Sequence, residues 1–185
     1  MKVQVLSEHG YEEGVLGFSL SYTSTIERTQ KILSRYAFGV PGESKFLESM
    51  MIWVDVTAPR YWHQEADTYR VGTSKQSEST MHTLVKSLLT QENFEYPVHP
   101  GTLTNLNLLI SVYNKSRNPK TLNEIKANLP EGFLQRRIWM FSYKTLQNMY
   151  HQRINHRLPQ WKYFLTTVLN EIEHPEFIVK GCKNG

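Results

Sequence analysis

Met50-Met51-Ile52-Trp53-Val54-Asp55-Val56-Thr57-Ala58-Pro59-Arg60-Tyr61-Trp62-His63-Gln64 decides the fold, because its hydrophobic period changes partway along. From Met50 to Val56, Ile52, Val54 and Val56 fall on one face and Trp53 on the other, the alternation of a strand. Thr57-Ala58-Pro59 ends that strand, and a helix begins with Pro59 in its first turn. That helix carries Tyr61, Trp62, His63 and Gln64. Asp55, inside the apolar run, calls for a structural hydrogen bond if buried.

Upstream, Val3 and Val5 alternate with polar residues as a short first strand. Glu12 to Tyr22 and Ser24 to Tyr36 read as helices, the second with Ile26, Ile32 and Leu33 as its apolar face and Thr25 or Ser24 as its cap. Gly39, Pro41 and Gly42 mark a turn, and Glu43 to Ser49 reads as a short helix. Downstream, Met81 to Leu89 and Leu103 to Asn114 read as helices. Thr121 with Glu124 has capping-box spacing before a short helix. Leu129-Pro130-Glu131-Gly132 breaks the chain. Arg136 to Ser142 alternates as a strand, with Ile138, Met140 and Ser142 opposite Trp139 and Phe141. Leu146 to Arg153 and Pro159 to Glu173 then read as helices, the last with Trp161, Phe164, Leu165, Val168, Leu169 and Ile172 inward. The reading is one α+β domain over residues 1–185 with helices predominating.

Bulk properties narrow the function. A chain of 185 residues with 39% apolar residues and 22 aromatics (10 Tyr, 8 Phe, 4 Trp) builds a real core. A net charge of +4 favours an anionic partner only mildly, and Lys and Arg are scattered apart from the zone Arg136 to Arg157. No direct nucleic-acid binding is expected. The single Cys182 excludes an internal disulfide, no CxxC is present, and no apolar run approaches a membrane span. A reducing, cytoplasmic setting is the expectation. The histidines (9, 63, 82, 99, 151, 156, 174) form no HExxH, so zinc is not expected, and no GxSxG elbow supports a nucleophilic triad.

Two regions hold candidate chemistry. Asp67 to Thr80, DTYRVGTSKQSEST, combines hydroxyls, one glycine, Arg70 and Lys75. That inventory suits phosphate, but it is neither a P-loop nor a Rossmann turn, and a solvated loop or helix cap would look the same. In RRIWMFSYKTLQNMYHQR (136–153), Lys144 and Asn148 share a helix face, with Arg153 at the far end. A charged surface over packed Leu146, Met149 and Tyr150 is the structural alternative.

Taken in order, these blocks resemble the flavin-dependent thymidylate synthases (ThyX). There an apolar strand enters a Gln-bearing helix and the signature RHRxxSxNExS, followed by LPxxxxT, an aromatic strand, NxRSLxNFxxLR and a helix introduced by AQxE. Here MIWVDVTAPRYW leads to His63-Gln64 and the next loop ends in Gln76-Ser77. Later, Leu129-Pro130 precedes an aromatic strand, Thr145-Leu146, Asn148 and Arg153 fall on the family's Ser-Leu, Asn and terminal Arg, and Pro159-Gln160-Trp161 opens the last helix. The resemblance runs from Met50 to Glu173. It departs at the signature: Arg-His-Arg falls on Asp67, Thr68 and Tyr69, with Arg70 one step further on. The signature's Asn-Glu falls on Ser74 and Lys75, and its distal Arg on Ser79. An Asp where a diphosphate would lie reverses the local electrostatics.

The resemblance implies a ThyX-like fold, a central mostly antiparallel sheet flanked by helices. It implies flavin-dependent one-carbon transfer to a pyrimidine deoxynucleoside monophosphate, dUMP-like, or alternatively an inactive protein that binds a nucleotide or nucleotide-derived ligand. FAD is the implied cofactor, with reduced folate and NADPH, and Ser142, Lys144 and Asn148 are its implied binding residues. Gln64, Arg70, Thr73, Ser74, Lys75, Ser77 and Arg153 are implied for the substrate. Ser77 would lie near the reactive carbon, and Arg153 would stabilise charge on the pyrimidine ring. A homotetramer is implied, and it would bury the exposed-looking Tyr61, Trp62, Tyr150 and Trp161. The compact, diverged form suits a phage or prophage source.

Overall fold

The computed structural model describes residues 1–39 and 42–180; Pro41 of the expected turn and Cys182 lie outside them. The order is β1 (Lys2–His9), α1 (Tyr11–Tyr22), α2 (Ile26–Tyr36), α3 (Phe46–Ser49), β2 (Met51–Pro59), α4 (Arg60–Ala66), β3 (Thr73–Ser77), α5 (Thr80–Thr83), α6 (Pro100–Ser116), α7 (Pro119–Ala127), β4 (Leu134–Ser142), α8 (Tyr143–Arg153) and α9 (Pro159–Glu171). The strands form one antiparallel sheet in the order β1-β2-β4-β3. Chain contacts group into two compact units. The first holds Met1–Lys2, Thr57–Asp67 and Gln76–Arg137; the second holds Val3–Val56, Thr68–Lys75 and Ile138 onward.

In the second unit, Ile52, Val54 and Val56 are fully buried along one face of β2, as the alternation requires. On β4, Trp139 and Phe141 are buried, and Trp139 stacks on Phe164 of α9 with ring centroids 5.5 Å apart. Each such aromatic contributes roughly 1.5–3 kcal/mol by leaving water. Trp161 is fully buried here and Trp62 is fully buried in the first unit, so neither is the exposed aromatic that the sequence suggested. Thr25 caps α2 by accepting from the Arg28 N–H. Ile26 is exposed, correcting the expected apolar face; Thr29 and Leu33, spaced one turn apart, are the buried positions. Tyr143 donates its hydroxyl hydrogen to the Glu8 carboxylate, which also accepts from the Glu173 N–H. Burial raises the Glu8 carboxyl above its ordinary value, outweighing those hydrogen bonds.

In the first unit, α6 and α7 pack through Leu106, Ile110, Leu122 and Ile125, joined by Leu84, Val85 and Phe133. The helix expected over Met81 to Leu89 is cut to the single turn α5. The reason lies in two amides of α6. Asn107 accepts from the Leu89 N–H and donates to its carbonyl, and Asn114 donates to the Val85 carbonyl. Side chains thus take backbone groups that a longer helix would have used. β2 continues to Pro59 rather than stopping at Thr57, because the N–H groups of Arg60 and Tyr61 still donate to the carbonyls of Phe133 and Glu131. α7 is capped by Asn118, which accepts from the Lys120 N–H, not by Thr121.

Asn118→Ala should therefore cost about 1 kcal/mol of stability and Thr121→Ala well under that, measured by urea unfolding. The raised Glu8 carboxyl gives stability that is full below its unfolded value and lost as pH rises through the folded one. Glu8→Gln should flatten that decline in a melting-temperature series across the acidic range.

Candidate functional site

The polar stretch read as a loop or anion site holds strand β3, at the edge of the sheet. Its sequence lacks apolar alternation because an edge strand with both faces half-wet needs none. In the second unit, the preceding turn is fixed by its own side chains. Tyr69's carbonyl accepts from the Thr73 hydroxyl at 3.1 Å and from the Lys75 ammonium at 2.9 Å. Lys75 also lies 4.8 Å from the centroid of the Trp139 ring. Val71's carbonyl accepts from the Thr145 hydroxyl, and Gly72's from the Ser142 N–H.

α8 begins against this turn. Ser142 ends β4 and caps α8 by accepting from the Thr145 N–H at 3.1 Å. Gly72 has a left-handed φ of 63°, and a Cβ there would lie 3.1 Å from the Ser142 hydroxyl oxygen. Only glycine fits without strain.

Between turn and helix opens a cavity of about 580 Å³, lined by Glu48, by Thr68 to Gly72, and by Ser142, Lys144, Thr145, Asn148 and Gln152. That volume is within the range of small-ligand sites. Its charges are Arg70, Lys144 and Glu48, and the positive end of the α8 dipole adds to the cationic balance. Among the described residues, the Lys144 ammonium donates to neutral oxygens, those of Ser44 and Gln147, each at 3.1 Å.

Tyr69 joins the cavity to Arg153. Its hydroxyl donates to the Gln152 side-chain oxygen at 2.9 Å and accepts from the Arg153 Nε at 3.1 Å. The Arg153 guanidinium lies 5.3 Å from the buried Trp161 ring and so has a fixed place.

The structure thus gathers Arg70, Ser142, Lys144 and Asn148 around one cavity, with Arg153 behind Tyr69. Thr73 and Lys75 hold the turn instead of lining the cavity. Ser74 is exposed on β3. Gln64 and Ser77 belong to the first unit. Gln64 donates to the Glu131 carboxylate at 3.0 Å and faces a separate cavity, and Ser77 is exposed near the end of β3. Asp67 is held in the first unit by the Nη1 of Arg137, at 2.8 and 3.0 Å from its two oxygens. Its charge is therefore paired. Neither the Asp67–Arg137 pair nor Tyr69's linking position has a local sequence signal, since both join residues at least 70 positions apart.

The fold is similar to that of the flavin-dependent thymidylate synthase ThyX from Helicobacter pylori complexed with FAD and dUMP. The TM-score is 0.79 at 14% identity over 100% of both chains. A second structure of ThyX from Helicobacter pylori with FAD and dUMP gives 0.78 at 13% identity, over 97% of this chain and 98% of that one. No protein-family model and no curated protein matches the sequence. At these identities the likeness is one of fold.

Gly72→Ala should destabilise the protein by about 1–2 kcal/mol, read as a lower melting temperature. An unchanged value would show that the turn relaxes without strain.

Proposed function

We propose that this protein is a ThyX-like flavoenzyme that transfers a one-carbon unit to a pyrimidine deoxynucleoside monophosphate, with dUMP the best chemical match. One observation carries the reading. The three residues that the resemblance gives to the cofactor, Ser142, Lys144 and Asn148, line one cavity together with Arg70. These residues fit the phosphates of a flavin nucleotide: two cations, a hydroxyl, a carboxamide and the positive end of a helix. The rewritten signature does not remove that fit. Asp67, which would have repelled a diphosphate, is neutralised by Arg137.

FAD, when bound, supplies hydride chemistry; the chain supplies position and charge. Arg70 and Lys144 neutralise phosphate oxygens, and Asn148, exposed and one turn from Lys144, offers both a donor and an acceptor. Arg153, aligned by Tyr69 and Trp161, stabilises negative charge developing on the pyrimidine ring. Thr73 and Lys75 serve by fixing the turn. Gln64 for base or sugar, Ser74 for phosphate, Ser77 near the reactive carbon, reduced folate as carbon donor and NADPH as reductant complete the proposal. So do a homotetramer, a cytoplasmic setting and a phage-like origin.

A second reading is a receptor of the same fold that binds a nucleotide without turnover. Tyr69 favours it: a hydroxyl committed to Gln152 and Arg153 stands where the family's signature carries a cation.

The test is the visible spectrum of purified protein, followed by melting shifts with FAD, dUMP, dCMP and dTMP. Flavin colour, or FAD and dUMP stabilising together, is the expected result. Arg70→Ala and Asn148→Ala remove exposed side chains, so each should weaken FAD binding roughly tenfold without lowering the melting temperature of the free protein. Stabilisation by nucleotide alone selects the receptor. No response to any of the four ligands refutes both readings.

A further inference from the structure

Gln147 stands on α8 one turn after Lys144 and is only 5% exposed, a polar side chain that the proposed function leaves without a role. We infer that Gln147, with Ser44 as its companion, is a positioning residue that fixes the Lys144 ammonium at the larger cavity for an anionic group of the ligand. The inference rests on the flavin reading of that cavity and adds to it the residues that hold its lysine in place.

Burial is the first argument. A primary amide taken out of water costs free energy unless its donors and its acceptor are matched. Those of Gln147 are. Nε2 donates to the Ala37 carbonyl and to the Phe177 carbonyl, each at 3.0 Å, and Oε1 accepts from the Lys144 ammonium at 3.1 Å. The orientation follows by necessity. A main-chain carbonyl can only accept, so the amide nitrogen must face both of them, and the oxygen is turned to Lys144. The flipped amide would set oxygen against oxygen twice. Neither anchor yields easily. Ala37, at the C-terminal end of α2, is buried, and so is Phe177, whose ring centroid lies 5.5 Å from that of Phe46.

The lysine supplies the second argument. Its ammonium has three donors, and two are engaged by acceptors from separate segments. Gln147 reaches it from the same helix, and the fully buried Ser44 reaches it from the chain before α3. Holding two donors gives the third a fixed direction. Lys144 lines the larger cavity, whereas Gln147 and Ser44 do not. A carboxylate in either place would compete with an anionic ligand, and a carboxamide and a hydroxyl orient the ammonium without that competition. An untethered lysine stem samples many rotamers, and ordering it only on arrival of a ligand would cost affinity.

Magnetic resonance of protein isotope-labelled at the lysine Nζ tests this without flavin. The Lys144 ammonium signal is assigned by its loss in Lys144→Met. Its hydrogen exchange with water should be roughly fivefold faster in Gln147→Met, which keeps the side-chain volume and removes the amide. FAD titration supplies the second readout. Gln147→Met and Lys144→Met should each weaken FAD roughly tenfold, and the double variant should bind no more weakly than Lys144→Met alone. A loss that multiplies in the double variant means that Gln147 acts through the fold, and it overturns the inference. So does a Lys144 signal that exchanges as fast as those of exposed lysines, or one unchanged by Gln147→Met. If Gln147→Met does not fold, Ser44→Ala is read by the same two measurements against the same expectations. Absence of FAD binding by the wild type refutes the flavin reading, and the ammonium signal then still decides whether Gln147 fixes Lys144.

Discussion

The pairing of β2 with β4 is the constraint on which the remaining structure depends. One end of the ladder is the Tyr143 N–H on the Met50 carbonyl in the second unit. The other is the pair of N–H groups of Arg60 and Tyr61 on Phe133 and Glu131 in the first. Those bonds set the register, and register decides every side chain's face. A slip of one residue would put Asp55 and Trp53 where Val54 and Ile52 are buried, and would turn Trp139 and Phe141 away from α9. The same ladder brings β4 to its end at Ser142, which is also the cap of α8. Lys144 and Asn148 reach the cavity because strand and helix share that residue.

The turn before β3 shows how an inventory of functional groups misleads without geometry. Its hydroxyls and lysine suit phosphate, yet Thr73 and Lys75 are committed to the Tyr69 carbonyl. Only Arg70 among its cations faces the cavity. A buried or half-buried turn must satisfy its own carbonyls first, and the polar side chains nearest in sequence are the ones that do so. What remains for a ligand is set by neighbours from α8, more than seventy positions away.

Much of the fold was legible because it rests on local periodicity. The alternation of Ile52, Val54 and Val56, the amphipathic pattern read over Pro159 to Glu173 (helical to Glu171) and the strand at Trp139 and Phe141 all follow from one buried face per element. β3 was not legible, since an edge strand shows no hydrophobic period. Nor was the early end of the helix after Thr83, which depends on Asn107 and Asn114 reaching backbone groups from another helix. For the site, helical spacing placed Lys144 and Asn148 together, and Arg70 stood out as a cation beside a glycine turn. The smaller cavity of the first unit had no signature, because Arg60 and Gln64 of its lining stand more than sixty positions before Lys126 and Arg137.

The position of β3 at the sheet's margin has a further consequence for handling the protein in bulk. An edge strand offers a row of main-chain groups that another molecule's strand could extend, the route by which sheets join into aggregates. Thr73–Ser77 is short and polar, with Lys75 at its centre. Two such edges brought side by side would set like charges against each other, so this margin is guarded by the same lysine that braces the turn. Removing its charge would take a donor from the Tyr69 carbonyl and, at the same time, weaken the colloidal stability of concentrated solutions.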